Sequence, residues 1–254
     1  MDGKRLKRIL LSVPDAALRL GWLESELARI GTPAAASLLN AVAEASEGSD
    51  PEAREALFTI VMLLTDPDHG GLVLSLRSLA TERGLFSLGR LVRRAPLPNT
   101  SVPPPDEARI PDYGSGRELT LGERKSLARR PNRRAFEKLC QDPHPLVIRQ
   151  LLENPMMVEG DAIRIATHRP ARRETIQQLA RSPRWMARPR VRMSILLNPG
   201  SPPEVAMPLL ALCNREELRD VLRSPETSMV LRGTAQELLA RRPPMPEDDH
   251  HSVH

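Results

Sequence analysis

Two segments of the chain, RRETIQQLARSP at 172–183 and NREELRDVLRSP at 214–225, are close copies, and RRAFEKLCQDP at 133–143 is a worn third. Aligned on Pro143, Pro183 and Pro225, they bring Phe136 into register with Ile176 and Leu218. Leu139, Leu179 and Val221 also coincide, as do Cys140, Ala180 and Leu222. The spacings are 40 and 42 residues. Each copy carries an apolar stripe at helical spacing, stopped by a proline that cannot continue a helix. A second amphipathic segment follows each proline: PLVIRQLLENP, RPRVRMSILLNP and SMVLRGTAQELLARRP. Helix-like DAIRIATHRP and PEVAMPLLALC lie between the units. Short helices of this kind are marginal alone in water. The repetition therefore predicts an array in which neighbouring units bury a shared core.

The residues before the array also read as helices. DAALRLGWLESELARIG sets Leu20, Leu23, Leu27 and Ile30 on one stripe and stops at Gly31. TPAAASLLNAVAEASEG opens with Thr32 as the expected N-cap and Pro33 at the first helical position. SDPEAREALFTIVMLLTDP repeats that grammar with Asp50 and Pro51, and its run from Leu57 to Leu64 predicts a buried central helix. GGLVLSLRSLATERG and LFSLGRLVRR complete a helical bundle over 1–94. Aromatics make up 2% of the chain, too few for a typical β-sandwich core, and the fold class is all-α. The 25 prolines fit short helices that take them in first turns or just past their ends.

Residues 95–118 hold six prolines between Pro96 and Pro111 and no apolar period, which predicts an extended Pro-rich linker. The repeat domain then covers 119–243, and the polar tail 244–254 is expected to be disordered. Short helices closed by Asp-Pro, Ser-Pro and Asn-Pro resemble the HEAT-like and leucine-rich-variant repeats of bacterial proteins over about 120–243, half of the chain. The resemblance implies a C-terminal α-solenoid whose extended surface serves protein–protein interaction, as a scaffold or regulator. It suggests a context in the regulation or positioning of a bacterial signalling protein such as a small Ras-like GTPase. DNA glycosylases of the alkylpurine class are also HEAT-like, but no residue-by-residue match to their acidic and aromatic pocket is found.

Catalytic signatures are absent: there is no Gly-x-Gly-x-x-Gly, Walker-type loop, Gly-x-Ser-x-Gly or His-Glu-x-x-His. Cys140 and His144 stand four apart, but Pro143 and Pro145 break the helix that would align them as nucleophile and base. The DDHHSVH tail offers cation ligands with nothing to hold their geometry. No enzymatic activity, cofactor or metal is expected. Two cysteines in apolar segments read as buried thiols of a cytoplasmic protein. The basic-then-apolar N-terminus is interrupted by Asp15 and Arg19, and no run reaches the length of a membrane span, so no membrane partner is expected.

Charge is unevenly placed. Residues 117–242 hold 24 Lys and Arg against 14 Asp and Glu, a net of +10, and the remainder holds 13 against 18, a net of −5. The most pointed stretch is RSPRWMARPRVR at 181–192, with no acid in it. The candidate partner-binding residues are Arg172, Arg173, Arg181, Arg184, Trp185, Arg188, Arg190 and Arg192. Guanidinium forks suit carboxylates and phosphates, and Trp and Arg dominate binding hot spots. An alternative is that Trp185 fills the core between repeats while the arginines solvate the surface and complement helix C-termini. The expected partner is a protein with an acidic surface, which includes the chain's own acidic N-terminal half or tail. Nucleic acid is the second choice, because readers of single strands need more stacking aromatics than 2% supplies.

Overall fold

Prolines and N-caps place the helices. The computed structural model describes residues 2–48, 50–98, 102–130 and 132–242. Among them the chain forms sixteen α-helices, two short 3-10 turns and no strand, an all-α fold. The 244–254 tail, and with it the histidine cluster, lies outside the described residues. No single described helix is long and apolar enough to cross a membrane.

The N-terminal half contributes α1 (Gly3–Ser12), α2 (Ala16–Ile30), α3 (Thr32–Glu47), α4 (Pro51–Thr65), α5 (Gly70–Glu82) and α6 (Phe86–Leu91). Asp2, Asp15 and Asp50 accept from the backbone N–H groups of Arg5, Leu18 and Ala53 at 2.8, 2.8 and 3.0 Å. Each satisfies a donor that the helix itself leaves free. Thr32 differs from its expected capping role: it is the first helical residue, and Gly31 stands between α2 and α3. The φ of Gly31 is +78°, a conformation cheap only for glycine, which lets the chain reverse without a longer loop. Every residue of α4 from Thr59 to Thr65 is buried.

The C-terminal half contributes α7 (Leu121–Arg129), α8 (Phe136–Leu139), α9 (Pro145–Leu152), α10 (Glu159–Thr167), α11 (Arg173–Ala180), α12 (Pro183–Met186), α13 (Pro189–Leu196), α14 (Pro203–Leu210), α15 (Arg215–Arg223) and α16 (Met229–Arg241). Pro145, Pro183, Pro189 and Pro203 each open a helix, where a missing N–H costs nothing. Packing groups them as α7–α9, α10–α13 and α14–α16: α7 lies on α9, α10 on α13 and α14 on α16.

Two polar devices recur along these groups. Asn154, just past α9, donates to the Ala128 and Arg130 carbonyls at the end of α7, at 2.7 and 2.9 Å. Asn198, just past α13, does the same for Ala166 and His168 at the end of α10, at 2.8 and 3.1 Å. Both side chains are buried, so the Asn-Pro that ends each segment clamps a helix end that would otherwise bury unpaired carbonyls. The second device is ionic: Arg133 pairs with Asp161 in the first turn of α10, and Arg173 with Glu204 in the first turn of α14. Arg242, just past α16, takes the asparagine's place in the third group and donates to Ala211 O at 2.6 Å. Its longer reach also finds Ser46 O at 2.5 Å, on the N-terminal half. Burial lowers the Arg242 pKa to about 10, which leaves it charged at neutral pH.

The halves share buried surface. α4 packs on α1, α2 and α3, and also on α11 and α14. Glu47 of α3 and Arg90 of α6 form a buried bidentate pair at 2.9 and 2.6 Å, with Arg241 of α16 at 3.5 Å from Glu47. Arg93 closes the rim on Glu237 of α16 at 2.7 and 2.9 Å.

Described residues of the 95–118 stretch are without helix, as expected, and they are fastened to the C-terminal half. Arg172 donates to Pro103 O at 2.7 Å, Lys138 donates to Asp112 O, and Ala108 is buried. Tyr113 Oη donates to Asp142 Oδ2 at 2.6 Å. Asp142 also receives Arg124 Nη1 at 2.6 and 2.8 Å and the His144 N–H at 2.9 Å. Burial and the adjacent carboxylate raise the Tyr113 pKa, so its hydroxyl remains a donor. Each proline removes a backbone N–H that would need a partner, which suits the stretch to lying flat against a surface.

Candidate partner-binding surface

The segment from 175 to 203 contains no Asp or Glu, and at most three residues separate successive cations of 181–192. α11, α12 and α13 carry it, and the four-residue α12 is squeezed between Pro183 and Pro189. This tight path turns Trp185 inward. Its ring is 2% exposed and its Nε1 donates to Leu152 O at 3.1 Å, fixing α12 to the end of α9. Trp185 is therefore a packing residue between successive groups of helices, as the alternative reading of the sequence held.

The arginines separate into two sets. Arg184 lies over the Trp185 ring at 4.4 Å from its centroid and donates to Met157 O at 3.0 Å, while its residue surface stays exposed. Arg192 donates to Met186 O at 2.8 Å, Arg172 is spent on Pro103 O, and Arg173 on Glu204 at 2.6 Å. Arg181 reaches the N-terminal half, with Nη2 2.6 Å from Asp66 Oδ1 and 2.7 Å from Asp68 Oδ2. Arg188 and Arg190 are exposed, and neither makes a side-chain hydrogen bond or ion pair among the described residues. The structure thus brings Arg184, Arg188 and Arg190 to one solvent-facing connection, α12–α13, and assigns the other five candidates to internal contacts. Unpaired guanidinium groups with no acid nearby in the chain make this connection electropositive and open to bidentate carboxylates.

Asp66 and Asp68 have a place at this surface that the repeat pattern did not indicate. The available signal was complementarity between the acidic N-terminal half and the basic stretch, which named no residue.

The cysteine–histidine spacing assembles no reactive pair. Cys140 Sγ donates to Asp161 O at 3.8 Å, and His144 Nδ1 accepts the Leu146 N–H at 3.1 Å. Burial pushes the Cys140 and Cys213 thiols up to about 12. Among the described residues no group of three His, Cys, Asp or Glu side chains converges as a metal ion would need. Both thiols are expected to label about a thousandfold more slowly in the native protein at pH 8 than in denaturant, following the lost thiolate fraction. Fast native labelling by a disulfide reagent would show that one of them is not enclosed.

No family model, curated protein or solved structure matches the chain.

Proposed function

We propose that the chain is a non-enzymatic adaptor in which an N-terminal helical bundle supports a HEAT-like α-solenoid that binds a protein partner with an acidic surface. The observation that carries this reading is the exposed, unpaired pair Arg188 and Arg190, beside Arg184, on an acid-free connection. The recurring asparagine clamps and arginine–acid pairs support the solenoid reading, because each clamp closes one helix group and each ion pair ties that group to the next by the same geometry. Such arrays present extended rigid surfaces, and three exposed arginines on one provide charge selectivity more than raw affinity. A regulator or scaffold of a signalling protein, such as a small Ras-like GTPase, fits this architecture by analogy of fold alone. The enclosed Trp185 disfavours the nucleic-acid alternative, since it removes a stacking platform from the basic surface.

Affinity capture from nuclease-treated extract tests the reading, comparing wild type with Arg188→Glu/Arg190→Glu. Both side chains are exposed and neither makes a hydrogen bond or ion pair among the described residues, so the variant is expected to keep its melting temperature within about 2 °C. Proteins recovered with the wild type are expected to fall about tenfold or more with the variant. An unchanged set of captured proteins would place the binding surface elsewhere. Capture seen only in a parallel extract left without nuclease would favour nucleic acid.

A further inference from the structure

We propose that the Asp66–Pro67–Asp68 turn is an internal occupant of the basic surface, and that the partner is an acidic segment presenting two carboxylates at the same spacing. The inference rests on the adaptor reading above. Arg181 opens the basic stretch 181–192, and it is the member of that stretch that meets acids. Its Nε and Nη2 both bind Asp66 Oδ1, at 3.1 and 2.6 Å, and Nη2 also meets Asp68 Oδ2 at 2.7 Å. One guanidinium can span carboxylates two residues apart because the turn is fixed. Pro67 opens the 3-10 turn Pro67–His69, and Asp66 Oδ1 accepts the Asp68 N–H at 2.9 Å.

The molecule thus displays on itself the ligand chemistry this stretch takes. The contact lies at the edge of the half-to-half interface: the Asp68 side chain is 79% exposed. Its exchange for outside carboxylates does not require the halves to part, because Glu47–Arg90 and Arg242–Ser46 hold them at other places. Past Arg181, no acid between 175 and 203 serves Arg184, Arg188 or Arg190. A segment engaging those three gains a fourth cation when it displaces the turn. Partner binding and the Arg181 contact therefore compete.

The test is fluorescence anisotropy of the full chain with a labelled Asp-Pro-Asp repeat peptide, and with an Asn-Pro-Asn repeat peptide as control. Asp66→Asn/Asp68→Asn removes both charges while Asn keeps the oxygen that caps the turn. This variant is expected to bind the acidic peptide about 3–10-fold more tightly than wild type. Arg181→Ala breaks the same ion pairs without freeing a cation, and is expected to bind no more tightly than wild type. Unchanged or weaker binding by the Asp66→Asn/Asp68→Asn variant, with wild type binding normally, would overturn the competition and leave the adaptor reading standing. Equal tightening in Arg181→Ala would also overturn it. Failure of both wild type and the Asp66→Asn/Asp68→Asn variant to bind the acidic peptide, or equal binding of the control, would overturn the partner class itself.

Discussion

Asp142→Asn is expected to cost the folded chain about 3–5 kcal/mol, the range for breaking a buried ion pair from one side. For a protein of this size that lowers the melting temperature by roughly 10 °C. The carboxylate is 0% exposed and receives four hydrogen bonds, from Arg124 Nη1 twice, Tyr113 Oη and the His144 N–H. Arg124 is itself buried and finds no other acid within ion-pair distance among the described residues. Asparagine offers one acceptor oxygen in place of two and points an NH2 at groups that are all donors. The guanidinium is then left in a low-dielectric site without its counter-charge. Replacing both partners, Arg124→Met with Asp142→Leu, is expected to recover much of the loss, because the burial cost of the arginine disappears with it. The same substitution releases Tyr113, so trypsin is expected to cut faster at Arg109 and Arg117, the exposed arginines on either side. Urea unfolding and a proteolysis time course read the two effects separately. A cost below about 1 kcal/mol would mean that water reaches Asp142 and pairs the freed groups.

The apolar register drawn from three worn copies was legible because burial repeats where the chain repeats. Phe136, Ile176 and Leu218 are all enclosed, as are Leu139, Leu179 and Val221. Leu222 departs from Cys140 and Ala180 by remaining partly exposed. Helix starts were legible wherever an aspartate or proline has a strictly local reason to stand there, as at Asp50 and Pro51. The clamps were not. Asn-Pro reads as a helix stop from sequence, and nothing local says that Asn198 will seek carbonyls 30 and 32 residues earlier. Arg242 is harder still, since it does the asparagine's work with a different side chain and a second target in the other half. Trp185 sits in a helix of four residues, too short for periodicity to say which side faces in. Its rarity and its arginine neighbours fitted a core residue and a surface anchor equally. The acids that hold Arg181 lie 115 residues upstream in the case of Asp66, where only tertiary structure can connect them.

Glu47→Gln is expected to cost about 3 kcal/mol and to weaken the attachment of the two halves. Glu47 and Arg90 have side chains only 7% and 6% exposed. The loss falls short of the Asp142 case because Arg90 keeps Ser87 Oγ at 2.9 Å and has Glu237 at 3.8 Å. Glu47 also stands 3.5 Å from Arg241, and Ser46 next to it accepts from Arg242, so the substitution acts where the end of α16 meets α3. Glu237→Gln provides the contrast. That carboxylate binds Arg93 bidentately but is 43% exposed, and its ion pair is expected to contribute under about 1 kcal/mol, falling with salt. Equal costs for Glu47 and Glu237 would show that geometry rather than burial sets the strength of this network. The shape of the transition is a second readout. α4 lends its surface to helices of both halves, so wild type is expected to unfold in one cooperative step. Glu47→Gln removes polar cement from one edge of that contact and leaves the α4–α14 packing in place. A single transition displaced to lower denaturant supports a shared core, whereas two separate transitions in wild type would mean that the halves are stable without each other.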